Sequence, residues 1–178
     1  MNYKHILFGA GKGTAHITLN RPSVLNALNR EMVDEILDAI RDIAGNETIR
    51  VLVISGTGNN FAAGADVASM VDLSPAEVPG FAYNDAFNTL EDLPVPTIAA
   101  IAGFALGGGL ELALACDFRI CSKDAKLGSP EIKLGIFPGA GGTQRLPKLI
   151  GPSRAKEMIF LGRSIDADTA LGYGLCDR

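Results

Sequence analysis

From Ile98 to Cys116 the chain reads IAAIAGFALGGGLELALAC, nineteen residues in which Glu111 is the only ionisable group. Glycines and that carboxylate interrupt the run too often for a membrane span. It reads instead as a buried β-strand from Thr97 to Ala102, a turn at Gly107, Gly108 and Gly109, and a helix from Leu110 to Ala115 that is apolar nearly all round and therefore buried. Glu111 would be buried with it. An unpaired carboxylate in apolar surroundings is expensive to desolvate and answers by raising its pKa, which makes proton transfer the candidate role. The competing reading is a helix-start carboxylate favoured by the macrodipole and bonded to backbone donors.

The 178 residues, 47% of them hydrophobic, suffice for one core and predict a single domain spanning 1–178. Sixteen basic and twenty acidic residues are dispersed along the chain for a net charge of -4, which leaves no footprint for nucleic acid or an anionic membrane. The opening MNYKHILFGAGKG lacks the apolar segment and cleavage site of a signal peptide, so the expected location is cytoplasmic. Cys116, Cys121 and Cys176 are an odd number without metal-ligand spacing, and only His5 and His16 accompany them. Neither a metal site nor a disulfide framework is expected. Cys116 and Cys121 read as small apolar core residues.

Short β-rich runs at Tyr3 to Phe8, Ala15 to Asn20, Val51 to Ser55, Thr97 to Ala102 and Phe118 to Cys121 alternate with helical patterns, which predicts an α/β domain. From Asn29 to Ala44, the residues Met32, Val33, Ile36, Leu37, Ile40 and Ile43 recur at three- and four-residue steps, an amphipathic helix that Gly45 and Asn46 can end. Ser74 to Glu77, SPAE, has a capping-box pattern that Pro79 and Gly80 soon interrupt.

Three elements could carry chemistry. Gly107 to Gly109 permit close approach of a ligand while the following helix aims unpaired N–H groups backward, a potential oxyanion or phosphate site, although tight packing explains such glycines as often. Glu131 lies in LGSPEIKLGIFPGAGGTQRL, where Ser129-Pro130-Glu131 can start a helix that Gly135, Pro138, Gly139, Gly141 and Gly142 keep short. Two carboxylates in such settings can divide acid and base roles if their environments push their pKa values apart. FAAGAD, Phe61 to Asp66, exposes backbone beside small side chains, or is a turn whose Asp66 caps the next helix.

NRPSVLNAL (Asn20 to Leu28), FAAGAD, PTIAAIAGFALGGGLELALACD (Pro96 to Asp117) and the segment from Glu131 to Leu146 together resemble the enoyl-CoA hydratase/isomerase, or crotonase, family in order and approximate spacing. The resemblance covers nearly the whole chain. It implies an α/β, crotonase-like (ClpP/crotonase) spiral of ββα repeats. It also implies that the backbone N–H groups of Ala65 and Gly108 form an oxyanion hole for an acyl-CoA thioester carbonyl, each donor being worth about 2.7 to 4 kcal/mol in the transition state.

By the same resemblance Glu131 would protonate the α-carbon of a 2-enoyl thioester and Glu111 would orient and activate the water, with Gly139 near the catalytic centre. Coenzyme A, part of the substrate rather than a cofactor, would lie near Val24, Ala63, Ala65, Asp66 and Gly108. Arg21 and Arg145 are expected as structural ion-pair partners, and Phe104, Ile136 and Phe137 as pocket-lining residues. The implied activity is an enoyl-CoA hydratase, a lyase of fatty acid metabolism such as β-oxidation.

Alternatives are an isomerase or other thioester-enolate chemistry, a non-catalytic acyl-CoA-binding or assembly subunit, and a dinucleotide-binding oxidoreductase. The last lacks the required strand, glycine-rich turn, helix and later acid in sequence. Members of the family continue into a helical C-terminal region that helps to cover the acyl site and build homotrimers or homohexamers. That region is expected to be absent from a chain ending at Gly174 to Arg178, which weighs against such an assembly and points to a truncated or a naturally short form.

Overall fold

The computed structural model describes residues 3–71 and 83–178. Its first strands, β1 (Ile6–Gly11) and β2 (Thr14–Leu19), form an antiparallel hairpin turned at Lys12 and Gly13, both with positive φ. Helix α1 (Arg30–Ala44) follows, and its N-terminus is capped by Asn29, whose Oδ1 accepts from the Met32 amide at 3.0 Å. The three- and four-residue periodicity is realised: Met32, Val33, Ile36, Ala39, Ile40 and Ile43 form the buried face.

Strands β3 (Val51–Gly56), β4 (Thr97–Ile101) and β6 (Phe118–Cys121) extend the hairpin as parallel neighbours, giving the order β1-β2-β3-β4-β6. Their alternation puts Ala15, Ile17, Leu19, Leu52, Ile54, Ala99 and Ile101 in the core. A second sheet contains β5 (Phe104–Leu106), β7 (Lys126–Gly128) and β8 (Ser164–Asp166), in that order.

The three parallel strands β3, β4 and β6 each hand the chain to the second layer. Strand β3 leads to Ala62, which bridges Ala105; β4 leads to β5 and then to helix α3 (Gly108–Leu114); β6 leads to β7. Repetition of this strand–strand–helix unit is the spiral. Helix α2 (Asn84–Glu91) precedes β4, and helices α4 (Gly142–Ile150), α5 (Pro152–Leu161) and α6 (Ala167–Tyr173) follow β7. The SPAE pattern at Ser74 to Glu77, with Pro79 and Gly80, lies outside the described residues. Among the described residues, no helix is long and apolar enough to cross a membrane.

The cysteines correct one expectation. Cys116 is a buried free thiol, but Cys121 forms a disulfide with Cys176, 55 residues away. Spacing could not reveal this pair, because the final segment returns beside β6: the Asp177 amide donates to Arg119 O at 2.9 Å, and the Cys121 amide donates to Arg178 O at 2.8 Å.

Candidate active site

The site begins where β5 becomes α3. Gly107 has φ +50°, a left-handed conformation open to glycine, and its amide donates to Gly128 O at 2.9 Å. The chain thereby turns sharply enough for Gly108 to open the helix. A Cβ placed on Gly108 would lie 3.6 Å from the Ala65 nitrogen, so the two backbone segments are neighbours.

Ala65 is oriented by a short parallel bridge to Leu28. The Leu28 amide donates to Gly64 O and the Asp66 amide to Leu28 O, each at 2.8 Å, which leaves the Ala65 N–H facing away from Leu28. Among the described residues, neither the Ala65 nor the Gly108 amide has a hydrogen-bond partner. Two adjacent unpartnered donors are what an incoming carbonyl oxygen requires.

Helix α3 is buried over its whole length, and Glu111 is only 4% exposed. Its Oε1 accepts from the amides of Ala140 and Gly142, both at 2.8 Å, whereas Oε2 has no hydrogen bond from the described residues. Burial raises the Glu111 pKa, opposed by those two amides and by the charge of Arg145.

Glu131, 9% exposed, opens a 3-10 turn (Glu131–Leu134) directly after Pro130. A Cβ on Gly107 would come 3.3 Å from Glu131 Oε1, which places this carboxylate beside the turn into α3. Both oxygens are buried, and among the described residues neither has a hydrogen-bond partner. Burial pushes its pKa up to about 7, opposed by its own backbone amide, and the negative charge of Glu111 adds to the rise.

Gly139 is exposed, directly precedes the donor Ala140, and accepts from Asn84 Nδ2 at 3.1 Å. Exposed Val24 ends a 3-10 turn (Pro22–Val24), and the next residue, Leu25, accepts from the Ala63 amide at 3.0 Å. Half-buried Ala63, Ala65 and Asp66 therefore share one wall with the Val24 segment. The Asp66 carboxylate does not cap the turn that follows it, and pairs instead with Arg21 Nη1 at 2.9 Å. Arg21 also donates to Ala27 O, the structural role expected of it. Phe104, Ile136 and Phe137 are exposed, Phe137 at 73%.

Sequence reasoning missed the donors of Ala140 and Gly142. The signal was the GAGG run itself: a Cβ on Gly142 would meet Glu111 Oε1 at 2.9 Å, so that glycine makes room for a carboxylate thirty-one residues earlier. No group of three or more His, Cys, Asp or Glu side chains among the described residues is arranged to hold a metal ion.

A family model described as enoyl-CoA hydratase/isomerase matches residues 9–178. Crotonyl-CoA hydratase of Syntrophomonas wolfei is 44% identical, with 100% of this chain and 70% of the relative aligned. The short-chain-enoyl-CoA hydratase of Clostridium acetobutylicum is also 44% identical, over 97% of this chain and 67% of the relative. The crystal structure of enoyl-CoA hydratase from Bacillus anthracis superposes with a TM-score of 0.94 at 42% identity, covering 98% of this chain and 69% of that one. The expected crotonase fold is therefore present, and the chain belongs to the enoyl-CoA hydratase/isomerase family.

Proposed function

We propose that this chain catalyses the reversible addition of water to a 2-enoyl-CoA thioester, giving the 3-hydroxyacyl-CoA. The observation that carries the reading is the unequal treatment of two buried carboxylates beside two unpartnered amides. Relatives named crotonyl-CoA hydratase and short-chain-enoyl-CoA hydratase support it.

In the forward direction the thioester oxygen accepts from the Ala65 and Gly108 amides. Water held on Glu111 Oε2 loses a proton to that carboxylate as its oxygen bonds to C3. The electron pair of the C2=C3 bond moves toward the thioester, and the enolate charge rests on the two amides. Protonated Glu131 then delivers its proton to C2, and the proton on Glu111 resets the pair. Atoms and charge balance without a redox step, and coenzyme A enters and leaves with the substrate.

The acid role suits Glu131, whose carboxyl holds its proton up to about pH 7, and the base role suits Glu111, whose ionised form has two amide donors. Coenzyme A is assigned to the wall of Val24, Ala63, Ala65 and Asp66. A cytoplasmic location and a place in β-oxidation-type metabolism complete the proposal.

The test follows the loss of conjugated enoyl-thioester absorbance with wild type, Glu111→Gln and Glu131→Gln. Each substitution should lower kcat by about 10²- to 10⁴-fold, the usual worth of a positioned acid or base. Undiminished turnover in both variants would overturn the assignment. Full activity in one of them would point to single-carboxylate isomerisation.

A further inference from the structure

Arg145 lies in the first turn of α4 with its side chain only 7% exposed, and its guanidinium joins two separate parts of the chain. On one side, Nε and Nη2 donate to Glu91 Oε2 at 3.1 and 2.6 Å, and Nη2 donates to Asn88 Oδ1 at 2.8 Å, both acceptors on α2. On the other, Nη1 donates to Ala140 O at 3.1 Å. Ala140 is also one of the two amide donors to Glu111.

The intervening glycine is part of this arrangement. Gly141 has φ +101°, and a side chain there would collide with the Arg145 guanidinium. Its carbonyl accepts from the Arg145 amide at 2.8 Å, closing the turn on the residue that braces it. The turn from Ala140 to Gly142 is thus held between a guanidinium and a carboxylate.

We propose that Arg145 is the positioning residue of the water-activating carboxylate: by fixing the Ala140 carbonyl it keeps the Ala140 and Gly142 amides on Glu111 Oε1 and leaves Oε2 to the water. This rests on the hydratase reading for its catalytic consequence. Its charge acts in the same direction, since Arg145 favours the ionised form of Glu111. Among the described residues, the charged groups set against Glu111 are Arg145 from α4 and Glu131 from the 3-10 turn, and Glu91 of α2 faces Arg145.

The experiment compares Arg145→Met, Arg145→Lys and Glu91→Gln by enoyl-CoA hydration across pH, together with a ¹³C titration of the Glu111 carboxyl. Arg145→Met should lower kcat about 10- to 100-fold, the effect of a displaced catalytic group, with KM changed little. Its acid limb and the Glu111 midpoint should move to higher pH, because removing a cation makes the carboxylate harder to ionise. Arg145→Lys keeps the charge but not the fork, so kcat should fall while the limb stays near its wild-type position. Glu91→Gln removes the counter-charge and should move the limb to lower pH.

Identical limbs and Glu111 midpoints in all the folded variants, with kcat falling only in proportion to folded protein, would overturn the proposal. If Arg145→Met fails to fold, Arg145→Lys and Glu91→Gln still decide it through kcat and the midpoint. A wild type without turnover would defeat the hydratase reading, while the ¹³C midpoints would still test the positioning role.

Discussion

Glu111 and Glu131 are both buried carboxylates, yet their surroundings differ in every respect except burial. Glu111 stands in a regular helix and is met by two amides of a distant segment and the field of Arg145; Glu131 stands in a short 3-10 turn, where no other described residue donates to its oxygens and the charge of Glu111 adds to the effect of burial. Burial raises both pKa values, so burial alone cannot separate an acid from a base. Hydrogen bonds to a charged group are worth about 1.5–3 kcal/mol each, and two of them on Glu111 against none on Glu131 make the difference.

The comparison breaks most severely if the donors to Glu111 are displaced. In Gly142→Ala the new methyl would press on Glu111 Oε1 at 2.9 Å and on Pro138 Cβ at 3.0 Å. The carboxylate must shift, so kcat should fall about 10- to 100-fold, while the fold is retained because alanine suits a helix better than glycine. Gly172→Ala is the matched control: it adds a methyl in α6 with nothing within 4 Å and should leave kcat unchanged. Equal kcat for the two variants would show that crowding Glu111 does not matter to turnover.

Changing pH sharpens the same contrast with no substitution. Hydration requires Glu131 to carry a proton, and its carboxyl loses that proton near pH 7. The kcat profile should therefore bend there and fall about tenfold per pH unit above it. Because the carboxylates interact, the bend belongs to the pair. In Glu131→Gln the alkaline limb should vanish along with most of the rate, and a wild-type profile flat from pH 6 to 9 would remove Glu131 from the acid role.

Much of this was legible in the sequence where structure is periodic or chemically odd. Helix α1 declared itself through its three- and four-residue periodicity, strands β2, β3, β4 and β6 as short β-rich runs, and Glu111 as the lone charge in an apolar run, whereas β1 lies at Ile6–Gly11 rather than Tyr3 to Phe8. Strands β5, β7 and β8, three residues each, are too short to show alternation and exist because neighbouring turns of the spiral pair with them. Glu131 was legible as a carboxylate in a shaped loop, but not as one without a partner, since solvation is decided by residues distant in the chain. Arg145 read as an ion-pair partner and is one; that it also braces Ala140 depends on α2 arriving from fifty-odd residues earlier. The Cys121–Cys176 bond was hidden for the same reason.

The smallest expected effect is on stability, and it concerns Glu131. The Glu131 pKa rises from 4.5 in the unfolded chain to about 7 in the fold, so between those values the native state holds more protons than the unfolded one. Stability must then fall as pH rises through that window and level off above it. Allowing for relaxation toward solvent, the Glu131 contribution should be about 1–2 kcal/mol, well short of full conversion of the shift. Glu131→Gln removes this proton linkage, so its denaturant midpoint should gain on wild type steadily between pH 4.5 and 7, and the gain should persist above. Parallel pH dependences for wild type and variant would mean that native Glu131 titrates as it does in the unfolded chain, and the acid role would lose its physical basis.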